Sequence, residues 1–130
     1  MLTDSAREFL KKPLLARIST IDPDGYPHTV PVWFDVDGDD LIFISVRNTA
    51  KVGHIQANPK GAVTIGGDTD DDGGYLIKGT MTIEEDPGLR WLKQVTHRYE
   101  SGEQAEKDIA EWSALDMIII RLKPAKVRKV

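Results

Sequence analysis

The stretch Leu14-Leu15-Ala16-Arg17-Ile18-Ser19-Thr20-Ile21-Asp22-Pro23-Asp24-Gly25-Tyr26-Pro27-His28-Thr29-Val30-Pro31-Val32-Trp33-Phe34 decides the fold. Its centre, Asp22 to Gly25, has turn chemistry throughout: Pro fixes one negative φ and Gly accepts a positive one. Leu14 to Ile21 and Tyr26 to Phe34 therefore read as the two arms of a hairpin. Pro27 and Pro31 each remove a ladder donor, which puts the second arm at an edge or in an interrupted stretch. Trp33 falls on the face opposite Val32 and Phe34, where it can line a groove with a flat apolar wall. Burial in a core or a dimer interface is the commoner fate of such a Trp. Pro31 leaves nearby ladder groups open to a planar ligand.

On the N-terminal side, residues 3 to 12 read as a short helix, with Ser5 and Glu8 at capping-box spacing and Pro13 as its stop. On the C-terminal side, Asp35 to Asp40 is a second turn and Leu41 to Val46 a third strand. Asn48 can cap a helix from Thr49 to about Ala57, with Val52 and Ile55 facing inward. Ala62 to Ile65 is a strand, Gly66 to Gly74 an acidic loop, and Tyr75 to Ile83 a long strand. Asp86 as N-cap and Pro87 at the first helical position open a helix with Trp91, Leu92, Val95 and Tyr99 as its buried stripe. A short helix over 103–113 precedes the strand Asp116 to Leu122, and Lys126 to Val130 adds a short edge. About six strands joined by hairpin-like turns, without βαβ alternation, predict a mainly β fold. Its antiparallel sheet closes into a small barrel with peripheral helices.

The composition bounds the function. A chain of 130 residues with 40% hydrophobic content fits a single domain, 1–130, with a real core. The absence of Cys excludes disulfides, thiolate nucleophiles and Cys-ligated metals, and suits a reducing, cytoplasmic setting. No apolar run is long enough to span a bilayer, and Asp4, Arg7 and Glu8 precede any apolar run, unlike a secretory signal. A net charge of −4 argues against nucleic acid as a partner. Residues 68 to 72 hold four Asp and residues 121 to 130 hold five Lys or Arg, each cluster reading as a solvated surface.

The segment Ser45-Val46-Arg47-Asn48-Thr49-Ala50-Lys51 carries the strongest functional signal. A strand ends and a helix begins within two residues, and helix N-termini expose unpaired N–H groups at the positive end of the macrodipole. Two cations, two hydroxyls and these donors converge where an anion is welcome. Lys51 opposes the dipole, at a cost that a bound anion would offset. The alternative is an ordinary solvated helix start.

Other patterns carry less. Asp68, Asp70, Asp72 and Gly73 match the opening of a calcium loop, but the closing Glu is replaced by Gly79, so no metal site is expected. His28, His54 and His97 are scattered. Spacing nominates no acid–base pair or other catalytic residue, so any chemistry must be carried by a cofactor.

The ordered set Leu15–Thr20, Asp24–Phe34, Gly38–Phe43, Lys51 and Asn58-Pro59 resembles the pyridoxamine 5'-phosphate oxidase-like superfamily, flavin-binding split barrels. The likeness is closest to small members that bind FMN or the deazaflavin F-420. It covers roughly residues 5 to 130, strongest over 14–65 and vague over 86–115. It implies a six-stranded antiparallel split β-barrel, a homodimer, and two cofactor sites at the subunit interface. It implies that Val30, Pro31, Val32 and Trp33 run along the isoalloxazine, and that Ser45, Val46, Arg47, Thr49 and Lys51 hold the phosphate. Two departures stand out. The end Lys126-Val127-Arg128-Lys129-Val130 lacks the C-terminal Arg/His substrate motif, which disfavours vitamin B6 oxidation. Ala50 stands where some relatives place Arg. The resulting expectation is a dimeric oxidoreductase using FMN, or alternatively F-420, on a small flat substrate. A non-catalytic carrier or sensor of flavin, pyridoxal phosphate or haem is the rival reading.

Overall fold

The computed structural model describes residues 2–71 and 73–130. In chain order the elements are α1 (Asp4–Phe9), β1 (Ala16–Ile21), β2 (Pro27–Val32), β3 (Phe34–Asp37), β4 (Asp40–Val46), α2 (Ala50–Ala57), β5 (Lys60–Gly66) and β6 (Gly74–Glu84). A 3₁₀ turn (Pro87–Leu89), α3 (Arg90–Tyr99), α4 (Gly102–Ser113) and β7 (Met117–Lys129) complete the chain. All strand pairs are antiparallel, and the sheet order is β2-β1-β5-β6-β7-β4-β3.

That order closes the barrel. β2 and β3 occupy opposite ends of the sheet, yet Trp33 alone separates them in sequence. Two peptide steps reach at most ~7 Å, so the two edges must meet and the sheet must roll up. The split at Trp33 accounts for seven strands where the sequence predicts six. The predicted single arm Tyr26–Phe34 is one extended run locally, but its first part pairs with β1 and its continuation with β4. β2 is an edge, as its two prolines require.

Alternation fixes what lies inside. Leu41 and Phe43 of β4 join Ile18, Phe34, Ile65, Ile77, Met81, Ile120 and Leu122 in the barrel core. Ile42 points outward, where it meets Ile119 and Trp91 of α3. β4 is therefore covered on both faces. The predicted short last edge is instead one 13-residue strand running past a bulge. There Pro124 faces Gly79, and a Cβ at Gly79 would lie 2.1 Å from the Lys123 carbonyl oxygen, so only glycine fits.

Three caps differ from expectation. Asn48 does not cap α2, whose N-cap is Thr49 with no side-chain hydrogen bond. Thr3, not Ser5, caps α1, accepting from the Ala6 N–H at 3.1 Å. Asp86 caps α3 from across the 3₁₀ turn: its buried carboxylate accepts from the N–H groups of Trp91 (3.0 Å) and Leu92 (2.9 Å). Among the described residues no helix is long and apolar enough to cross a membrane, and no group of three or more His, Asp or Glu is placed to hold a metal. Of the calcium-like run, Asp72 lies outside the described residues; Asp68 approaches Arg17 at 3.4 Å.

Candidate functional site

At the seam where β2 gives way to β3, the barrel carries an open cleft of about 530 Å³, within the range of small-molecule and cofactor sites. One wall comes from the barrel. Pro31, Val32 and Trp33 supply its flat side, and Ser45, Val46, Thr49 and Lys51 supply the strand-to-helix corner. Seven of the nine residues singled out from the sequence thus line one cavity. Val30 does not; it packs against the barrel core.

Arg47 does not reach the cleft either. Its guanidinium donates to Asp116 Oδ2 at 2.9 Å and to both Glu85 oxygens at 2.5 and 2.6 Å. Those hydrogen bonds, to Asp116 first and Glu85 second, raise its pKa further. The expected pair of convergent cations is therefore reduced to one, Lys51. The competing carboxylates sit in the β6–α3 connection and before β7, too far along the chain for local spacing to reveal.

Lys51 has no hydrogen-bond or ion-pair partner among the described residues, and burial alone pushes its pKa down. A half-buried ammonium without a counter-ion is costly unless something fills the gap. The neighbouring backbone points the same way. No side chain caps α2, so its first-turn N–H groups remain available donors. The Thr49 hydroxyl instead donates to the Val46 carbonyl at 3.2 Å, as does Ser45 Oγ at 3.0 Å, and the two hydroxyls lie 3.4 Å apart. A bound anion would compete with that carbonyl for their protons.

The opposite wall comes from α3, α4 and the chain after them: Glu100, Asp108, Trp112 and Leu115, with Ile44 and Met117 also lining the cavity. Sequence reasoning does not find these residues. Trp33, on the barrel wall, is fixed against the helices. It stacks on Tyr99 with centroids 4.8 Å apart and an interplanar angle of 3°, and meets Trp112 edge-on at 5.7 Å. Tyr99 is itself anchored, donating to the Leu14 carbonyl at 2.7 Å and accepting from the Phe34 N–H at 3.2 Å. Burial raises its pKa, so the phenol stays protonated. The ring that walls the cleft is thus held in one orientation.

Two histidines that look scattered in sequence meet in space. His28 and His54 lie edge-on at 5.0 Å, and Thr20 Oγ1 contacts His54 Nδ1 at 3.0 Å. His97 approaches Glu106 at 3.4 Å on the surface.

Comparison with known proteins agrees with this fold. The family model described as pyridoxamine 5'-phosphate oxidase matches residues 2–130. A solved structure named F420 Reductase is 25% identical, with 98% of each chain covered and a TM-score of 0.77. A Listeria innocua protein provisionally named pyridoxamine 5'-phosphate oxidase is 22% identical (98% of this chain, 96% of that one, TM-score 0.75). The conserved hypothetical protein Rv2991 of Mycobacterium tuberculosis is 18% identical (99% and 84%, TM-score 0.76). At their identities the last two share the fold alone. No curated protein matches the sequence.

Proposed function

The chain belongs to the pyridoxamine 5'-phosphate oxidase family, and from that premise we propose that it is an oxidoreductase binding FMN or the deazaflavin F-420 in the seam cleft. The observation that carries the reading is Lys51: a half-buried, unpartnered ammonium beside the uncapped start of α2, in a cavity walled by tryptophan. A phosphate-bearing tail answers the charge, and a flat ring answers the wall. Lys51, Thr49, Ser45 and the first-turn N–H groups of α2 would hold the tail. Pro31, Val32, Trp33 and Val46 would flank the ring. Arg47 would join only by leaving Glu85 and Asp116. When bound, the cofactor supplies hydride chemistry that no side chain here can provide.

The 25% identity to a protein named F420 Reductase supports the deazaflavin alternative beside FMN. A homodimer, with a second copy completing an open cleft at the barrel edge, is part of the proposal.

The test is a titration of the purified chain with FMN and, separately, with F-420, following tryptophan emission and the visible spectrum. Saturable binding of one of them is expected, with Lys51→Met weakening it by about tenfold or more. A chain that takes up neither contradicts the proposal. A bound cofactor that no donor reduces, or no acceptor reoxidises, would select the carrier reading instead.

A further inference from the structure

The cleft holds charges of both signs that do not pair. Lys51 lines one part of it, and Glu100 and Asp108 line another. Neither carboxyl lies at ion-pair distance from Lys51 or another cation among the described residues, although Lys107 acts on Asp108 at longer range. The nearby Arg98 is engaged elsewhere: it donates to the Leu10 and Lys12 carbonyls at 2.6 and 2.8 Å and approaches Asp35 at 3.4 Å. Glu100 Oε1 is buried and receives no N–H or O–H from the described residues, its side chain lying against Asp108, whose Oδ1 accepts from Gln104 Nε2 at 3.1 Å. An acceptor left buried and unpaired is costly, which makes it the natural seat of a ligand's N–H or cationic group.

The two carboxyls also set each other's protonation. Asp108 raises the Glu100 pKa, through side-chain hydrogen bonding first, then burial and like-charge repulsion. Glu100 in turn lowers that of Asp108, again through hydrogen bonding first. Two adjacent carboxyls favour a cation beside them over a neutral or anionic group. The same cavity is lined by Trp112 and by Trp33, one face of which is stacked on Tyr99, and indole faces attract cations most strongly among side chains.

We propose that the Glu100–Asp108–Trp112 side of the cleft is a subsite for a planar, positively charged substrate group, such as a pyridinium or a protonated aromatic amine. It deepens the oxidoreductase reading and rests on it, because the Lys51 side is then left to the anionic tail. One cleft separates two ligands by charge. An anionic substrate would meet Glu100 and Asp108 and be turned away.

The test uses the cofactor-loaded protein, with loading checked first by its visible spectrum, so failure to load indicts the earlier reading and not this one. Three soluble probes of one ring size are then titrated: 1-methylnicotinamide (cation), nicotinamide (neutral) and nicotinate (anion). Binding is followed by equilibrium dialysis and tryptophan quenching. The cation is expected to bind about tenfold tighter than the neutral ring, and the anion weakest. In the Glu100→Gln/Asp108→Asn double variant the order should collapse while cofactor loading and melting temperature hold. If that variant does not fold, Trp112→Leu should also weaken the cation selectively. Equal affinities in the parent, a preference for nicotinate, or a cation preference that survives the variants would each overturn the proposal.

Discussion

The two walls of the cleft were assembled in different ways. On the barrel wall, Ser45, Val46, Thr49 and Lys51 lie within seven consecutive residues, and their convergence is a property of one strand-to-helix junction. On the helical wall, Glu100, Asp108 and Trp112 come from the end of α3 and the length of α4, and meet only because those helices pack over the seam. The first wall has a local cause, the second a tertiary one. Both walls lie within the residues 2–130 that the family model matches.

The comparison can be broken from either side. The largest effect is expected from Lys51→Glu, which puts a carboxylate where the anion should go. Cofactor affinity should fall by about a hundredfold or more, read by the visible-spectrum titration. The uncharged Lys51→Met should leave the unliganded chain no less stable than the parent by thermal melting, because it removes a half-buried charge that nothing among the described residues neutralises.

Asp86→Ala strikes the other wall. Removing the carboxylate that caps α3 should cost about 1–2 kcal/mol. The melting temperature should then drop by about 4–10 °C. Loss of cation discrimination with the phosphate contact retained would show that the walls are independent. Loss of both would show that they are one unit.

A subtler effect is pH-dependent. Lys51 in the unliganded fold gives up its proton below the ordinary lysine range, so cofactor affinity should decline as pH rises through that depressed value. An anion restores the pKa, so binding in this window should take up a proton, measurable by calorimetry in two buffers of different ionisation enthalpy. In the same window the unfolded chain holds more protons than the folded one, so the unliganded protein gains stability with rising pH. Lys51→Met should abolish both behaviours. Smallest of all is Arg47→Gln, expected to change cofactor affinity less than about threefold, because Glu85 and Asp116 already hold that guanidinium away from the cleft.

Much of the fold was legible for physical reasons. Asp22 to Gly25 could only turn, and Gly25 does adopt φ 86°. The prolines of β2 could only sit at an edge. The strand exchange at Trp33 was not legible, because a chain that leaves one sheet edge and joins the other looks locally like a single extended run. Pro124 likewise signals the end of a strand, until the bulge opposite Gly79 absorbs its missing donor. In the site, helix-end physics pointed to Lys51 but overcounted Arg47, whose carboxylate partners are 38 and 69 residues away in sequence. Glu100 and Asp108 carried no signal in their spacing. Their meaning comes from the cavity they share with two tryptophans.

The central claim is that Lys51 and the start of α2 receive a phosphate-bearing tail. Its most direct test compares FMN with riboflavin, the same ring without the phosphate, in the parent and in Lys51→Met by isothermal titration. The account predicts that the parent prefers FMN by about tenfold or more, and that the preference largely disappears in the variant. Equal affinity of the parent for the two ligands, or a preference for FMN that Lys51→Met leaves intact, would contradict it.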